Sequence, residues 1–229
     1  MSLITLLLKS CDGSHGVSDG VFVSRIPRPR DLFSAPGSDE LLAEFHRVAA
    51  HGFGVTLEEK STDGVRDHVI QVDELFVLHS ASEVLGFAST RHRPDEDLLY
   101  LHGMVLDPSV QGRGFSRILM EAKLEATPFS RVGFTTQNPV MFCIARSFVR
   151  QTFPSPLQPI VPEALRPLGM RLVPEGLSPN TFVVRERYSK CLYPSIPESR
   201  DSTVNQWFAS SLEIRDGQTR NAFLILGNL

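Results

Sequence analysis

The sequence predicts an α/β protein of the α+β type, with a mixed, mostly antiparallel central sheet flanked by helices and a Pro-rich C-terminal extension. Three observations carry this. The apolar-rich runs DELFVLHS, EVLGFASTRH and DLLYLHGMVLD are separated only by the short polar links ASE and RPDED, the pattern of an antiparallel meander. A helical pattern, a further strand and another helical pattern follow, and a strand, helix, strand passage implies a parallel pair inside an otherwise antiparallel sheet. Finally, seven of the sixteen prolines fall between Phe153 and Asn180, where the composition changes character.

Taken in order, the opening MSLITLLLKSCDG carries a short apolar run with no basic residues ahead of it and no small-residue cleavage site, and reads as an edge strand rather than a targeting peptide. SDELLAEFHRVAAHG starts with Ser38 as a candidate N-cap, carries Leu41, Leu42, Phe45, Val48 and Ala49 at helical spacing, and stops at Gly52. After the meander, RGFSRILMEAKLEA lines up Phe115, Ile118, Leu119 and Ala122 on one helix face. RVGFTTQN is a strand, and Pro139 suits the first turn of the helix that VMFCIARSFV continues. The Pro-rich stretch admits one short helix around PEALRPLG, as an irregular cover or as a lid or substrate wall. TFVVRERY and AFLILGNL are late strands returning to the sheet. The domain boundary is placed after residue 152, with 1–152 as the core and 153–229 completing the fold or walling a substrate site.

The 229 residues allow one well-buried core with an appendage. A net charge of −3 argues against the basic surface of a nucleic-acid binder, and no apolar run approaches the roughly 18–20 residues of a membrane span. Cys11, Cys143 and Cys191 form no CxxC pair, which fits reduced thiols in a cytoplasmic protein. A homodimer is compatible with the sequence.

Chemistry concentrates in MVLDPSVQGRGFSR. A strand runs into a Pro turn, then small and basic residues open a helix, whose first N–H groups lack intrahelical partners and whose dipole adds partial positive charge. Gly112 and Gly114 let the backbone approach a phosphate, and Arg113 and Arg117 add charge. There is neither a Walker loop nor a GxGxxG pattern. Leu106-Asp107-Pro108 followed by Gln111-Gly112-Arg113-Gly114-Phe115-Ser116 resembles the cofactor loop of the GCN5-related N-acetyltransferase (GNAT) superfamily, with Ser116 in place of the family's final Gly or Ala. The resemblance covers about Leu75 to Val149. It implies a GNAT-like fold that binds acetyl-CoA (acyl-CoA) as co-substrate. Gln111 to Ser116, including Phe115, would grip its pyrophosphate, and Met104, Val105 and Leu106 would pair with its pantetheine arm as an added strand. Asn138 matches an Asn close to the cofactor arm in the family, and is equally placed to cap the next helix.

An amine near pKa ~10 needs a proton acceptor, and an imidazole titrating near ~6.5 suits the task. Alternation puts Tyr100, His102 and Met104 on one face of their strand. The stretch is similar to that of arylalkylamine N-acetyltransferases, whose second strand histidine aligns with His102 while Tyr100 replaces the first. This implies His102 as general base, directly or through water, and Tyr100 as relay. The family's helix Tyr, which protonates the departing thiolate, is replaced by Ala145. Tyr188 and Tyr193 are the substitutes available. His46, His51, His68, His79 and His92 show no metal-ligand spacing, Asp63-Gly64 resembles a turn, and Trp207 and Phe208 pack against the sheet. The expected activity is transfer of an acetyl or short acyl group to an amine of a small molecule or peptide. Transfer to a hydroxyl, or of a larger acyl group, and a non-catalytic CoA-binding regulatory module are the alternatives.

Overall fold

The computed structural model describes residues 14–18, 20–125 and 127–229. The opening run read as an edge strand lies outside them up to residue 13. The chain divides into two compact units, one holding the residues up to His92 and Leu101–Thr127, the other Arg93–Tyr100 and Pro128–Leu229.

In the first unit, β1 (Ser14–Ser18) and β2 (Val21–Pro27) pair antiparallel, β2 pairs with β3 (Glu74–His79), and β3 with β4 (Val84–Arg93). The strand order continues to β5 (Leu98–Leu106). Every residue of β3 is buried, as a strand covered on both faces must be, and its two faces have different partners. Leu75 and Val77 pack with Ile26, Leu41, Phe45 and Val69. Phe76 and Leu78 pack with Val21, Val23, Phe115 and Leu119.

Helices supply both covers. After the short α1 (Pro29–Leu32), α2 (Ser38–Phe53) buries the apolar stripe expected of it. Its N-cap, however, is Gly37 at φ 88°, not Ser38, whose hydroxyl instead donates to the Phe33 carbonyl. The helix also runs past Gly52 to the left-handed Gly54. Gly52 is there for close approach, since a Cβ at that position would stand 2.4 Å from Val105 Cγ1 and 2.7 Å from the Leu106 carbonyl oxygen. Next comes α3 (Thr62–Ile70), N-capped by the Ser61 hydroxyl, which accepts from the Gly64 N–H. Asp63-Gly64, expected as a turn, is therefore inside a helix. The opposite cover is α4 (Phe115–Leu124). It also buries Lys123, 3% exposed, and the loss of hydration pushes that ammonium down to about 7.

In the second unit the start of β5 pairs parallel with β6 (Arg131–Thr136), from Leu98 opposite Arg131 to Tyr100 opposite Gly133, as the strand, helix, strand passage implied. β6 pairs antiparallel with β9 (Ala222–Asn228), and β9 also takes β7 (Gln151–Phe153) and β8 (Val183–Val184). The helix expected after Pro139 is α5 (Pro139–Arg146), one that ends before Ser147 rather than running on through Val149. The Pro-rich stretch carries its short helix as α6 (Arg166–Leu172) and packs inward, placing Val161, Leu168, Val173 and Phe182 against Leu98, Leu224 and Leu226. Gly169 makes room for the Phe182 ring, from which an added Cβ would stand 2.4 Å. Trp207 and Phe208 lie on α7 (Ser202–Ser211), with the indole stacked on Phe223 at 4.2 Å between ring centres.

Candidate functional site

The glycine loop grows from the end of β5. Asp107 follows the last strand residue, and its N–H donates to the Leu85 carbonyl. Its Oδ1 accepts from the Ser109 N–H at 3.0 Å and hydroxyl at 2.7 Å, which shapes the one-turn helix Pro108–Val110. Oδ2 accepts from Arg47 Nη1 at 3.0 Å and faces His51 Nδ1 at 3.3 Å, both on α2. Arg47 also binds Glu44 and the Val84 carbonyl. Burial disfavours the charge on Asp107, but the Ser109 bonds, His51 and Arg47 outweigh it and hold the carboxyl below its usual range. The strand-to-loop junction is thus tied to a helix far away in sequence, a network that the sequence reading does not contain.

Beyond this anchor, Gln111, Gly112, Arg113 and Gly114 are exposed. Gly112 has φ 74° and Gly114 φ 87°, and no atom lies within 4 Å of where a Cβ would stand at either. The glycines are needed for left-handed backbone, with open space in front of them, rather than for relief from crowding. Gly114 is the N-cap of α4 and gives no side-chain cap. The first N–H returned to the helix is that of Arg117, which donates to the Gly114 carbonyl at 2.9 Å, so the amides of Phe115 and Ser116 precede the helix's own ladder. Buried Phe115 pins the helix start to the core, and the Arg113 guanidinium lies 5.2 Å from the centre of its ring. Gln111 Nε2 donates to the Leu106 carbonyl at 2.9 Å, so one acceptor position of the segment Met104–Leu106 is already engaged. Met104 leans on the cluster around Phe115, Val105 on that of α2.

His102 is half-buried, and its ring stacks on His68 of α3 with centres 4.4 Å apart. His68 is the residue that sequence reasoning passed over. Taking Asp63-Gly64 as a turn hid its helix, although Ser61 as cap and Val65, His68 and Val69 at helical spacing were the available signal. His46 binds the Lys60 carbonyl, His79 binds Ser24 and the Ser80 carbonyl, and His92 faces Glu74. Among the described residues no group of three or more His, Cys, Asp or Glu could hold a metal ion, and no helix is long and apolar enough to cross a membrane.

Tyr100 and Asn138 belong to the second unit. The Tyr100 hydroxyl donates to Thr135 Oγ1 at 3.3 Å. Asn138 is the N-cap of α5, its Oδ1 accepting from the Val140 and Met141 N–H groups, while its Nδ2 donates to the Tyr193 hydroxyl at 3.3 Å. Burial pushes the Tyr193 phenol up to about 12 and raises that of Tyr188 as well, so both stay neutral at neutral pH. Ala145 is buried on α5.

Residues 40–135 match the model of the acetyltransferase (GNAT) family. A search of curated proteins gives no match. Among solved structures, the chain resembles an IAA acetyltransferase from Bacillus cereus at 12% identity and a TM-score of 0.49, over 91% of this chain and 99% of that one. It resembles the ribosomal-protein-S18-alanine N-acetyltransferase from Escherichia coli at 13% identity and a TM-score of 0.49, over 90% and 93%. For the diaminobutyrate acetyltransferase EctA from Paenibacillus lautus the figures are 13% and 0.40, over 59% and 74%.

Proposed function

For a chain whose residues 40–135 match the GNAT-family acetyltransferase model, we propose transfer of an acetyl or other short acyl group from acyl-CoA to an amine of a small molecule or peptide, by direct attack. The observation that carries the reading is the strand–loop–helix junction inside that segment, with two left-handed glycines facing open space and a helix start without a side-chain cap. Such a start suits a diphosphate. Gln111 to Ser116 would hold it, Arg113 adding charge, and Met104 and Val105 would align the arm, with Leu106 contributing less because Gln111 occupies its carbonyl. When bound, acyl-CoA supplies the activated acyl group.

The chain's own part is to position the amine, remove its proton and favour developing charge with main-chain donors. His102 takes the proton. Tyr100 serves as a relay whose hydroxyl hydrogen is directed at Thr135, and Asn138 combines its cap with a contact to the cofactor arm. Residues 153–229 complete the second unit. The protein works in the cytoplasm on these terms, with its thiols reduced.

A second reading has one observation in its favour. Ala145 stands where the family's helix Tyr would protonate the departing thiolate, which fits a CoA-binding regulatory module. A thiolate titrating near ~8.5 needs little help, however, so the enzyme is favoured. Calorimetry with acetyl-CoA followed by thiol-release assays on amine and hydroxyl panels separates the cases. Binding and release with amines supports the proposal. Release with hydroxyl acceptors alone points to O-acyl transfer, and binding without release under every acceptor to the regulatory module. Absence of binding at saturating acetyl-CoA overturns all three.

A further inference from the structure

His68, exposed on its helix, and half-buried His102 meet face to face, ring centres 4.4 Å apart and planes 25° from parallel. Several features fix His68 in that place. Its Nδ1 lies 2.8 Å from the carbonyl of Gly64, one turn earlier on the same helix, and since a carbonyl can only accept, Nδ1 carries the hydrogen. Val65 and Val69, on the same helix, are buried at 2% and 0% exposure and lock the helix face. The residue after His102 is a glycine, and a Cβ at Gly103 would come within 3.1 Å of His68 Cδ2. The missing side chain leaves the space in which the His68 ring lies.

The protonation of His68 follows from the groups facing it. Desolvation is the largest influence and lowers its pKa, although the residue stays exposed at the surface. The charges of Lys60 on the preceding loop and Arg91 on β4 lower it further, while the Gly64 carbonyl and Asp67 act the other way without prevailing. The lowered pKa leaves the His68 ring neutral at neutral pH.

We propose that His68 is a positioning residue for His102, its ring face setting the plane in which His102 presents a nitrogen to the acceptor amine. The inference rests on the reading of His102 as proton acceptor. An imidazole free to turn about χ2 samples a broad range of orientations, and the stack removes that freedom. His68 does not itself touch the reacting atoms.

Two variants of the full chain test this, His68→Ala, which removes the face, and His68→Phe, which keeps a face without a titrating nitrogen. In the protein without ligand, proton NMR should show the His102 ring signals, identified by their loss in His102→Gln, displaced by the neighbouring ring current. The displacement should vanish in His68→Ala and persist in His68→Phe. In acetyl transfer from acetyl-CoA to the best amine of the panel, His68→Ala should lose kcat about tenfold with the KM for acetyl-CoA unchanged, and His68→Phe should recover most of it. Thermal melts establish that each variant is folded, and if His68→Ala is not, a kcat in His68→Phe well below wild type still overturns the proposal. So does full kcat in His68→Ala, whether or not the NMR signals move. An inactive His102→Gln beside a fully active His68→Ala sinks this inference alone. Full turnover in His102→Gln sinks the assignment of His102 and this inference with it.

Discussion

Two strand-to-helix junctions of this chain solve one problem in opposite ways. Where β6 gives way to α5, Asn138 folds its side chain back onto the Val140 and Met141 N–H groups and Pro139 removes one donor altogether, so the helix start is satisfied from within. Where β5 gives way to α4, the cap is a glycine at φ 87° without a side chain, and the polar anchoring has moved back to Asp107, outside the helix. The first junction is closed. The second is held firmly from behind and left open in front, the arrangement a binding loop needs, because rigidity and unsatisfied donors must coexist there.

The comparison breaks first at Asp107. Asp107→Ala removes the acceptor for Ser109, Arg47 and His51 and leaves the partly buried Arg47 with Glu44 and Val84, so a loss of about 2–4 kcal/mol in denaturant unfolding is expected. The same carboxyl has a pH signature. Its folded pKa is depressed, so its contribution is present above the unfolded value of about 4 and is lost as pH falls through the folded value. Wild type should thus lose stability below about pH 4 more steeply than Asp107→Asn. If the two acid profiles superimpose, the anchor is not electrostatic.

Gly52→Ala comes next. Its added methyl would meet Val105 and the Leu106 carbonyl at distances no real Cβ keeps, and helix α2 must shift against β5, costing about 1–3 kcal/mol. Gly114→Ala follows at about 1–2 kcal/mol, because the left-handed conformation opposes a Cβ although the space is open. If the open junction binds acyl-CoA, calorimetry on this variant should show weaker binding out of proportion to the stability loss. Smallest is Asn138→Ala at about 1 kcal/mol in thermal or urea unfolding, with Asn138→Asp close to wild type because the cap oxygen remains.

The sequence discloses one of these junctions better than the other. Strands β3, β4 and β5 are legible because their apolar runs are dense and their links short, and the helices flanking them because Leu41, Phe45 and Val48, or Phe115 and Leu119, recur at helical spacing. β2 and α7 are not singled out, since VFVSRIP is only partly apolar and STVNQWFASS is polar around Trp207 and Phe208. Helix α3 is hidden by its Asp63-Gly64 pair, whose local turn preference is overridden by the Ser61 cap and by burial of Val65 and Val69. The site divides in the same way. The glycine loop and His102 are contiguous in sequence and can be read from it, whereas Asp107 with Arg47, His102 with His68 and Asn138 with Tyr193 are contacts across folded space, which no local pattern encodes.

One last consequence belongs to Lys123, the ammonium enclosed on α4. Lys60, by contrast, lies against the Phe53 ring at 3.9 Å, in a partly exposed setting. An amine-reactive label added to the native protein should therefore mark Lys60 at once and Lys123 only when α4 lifts away from its strands. The slow appearance of the tag on Lys123, followed by mass spectrometry, becomes a clock for the local opening of the very helix whose first turn faces outward.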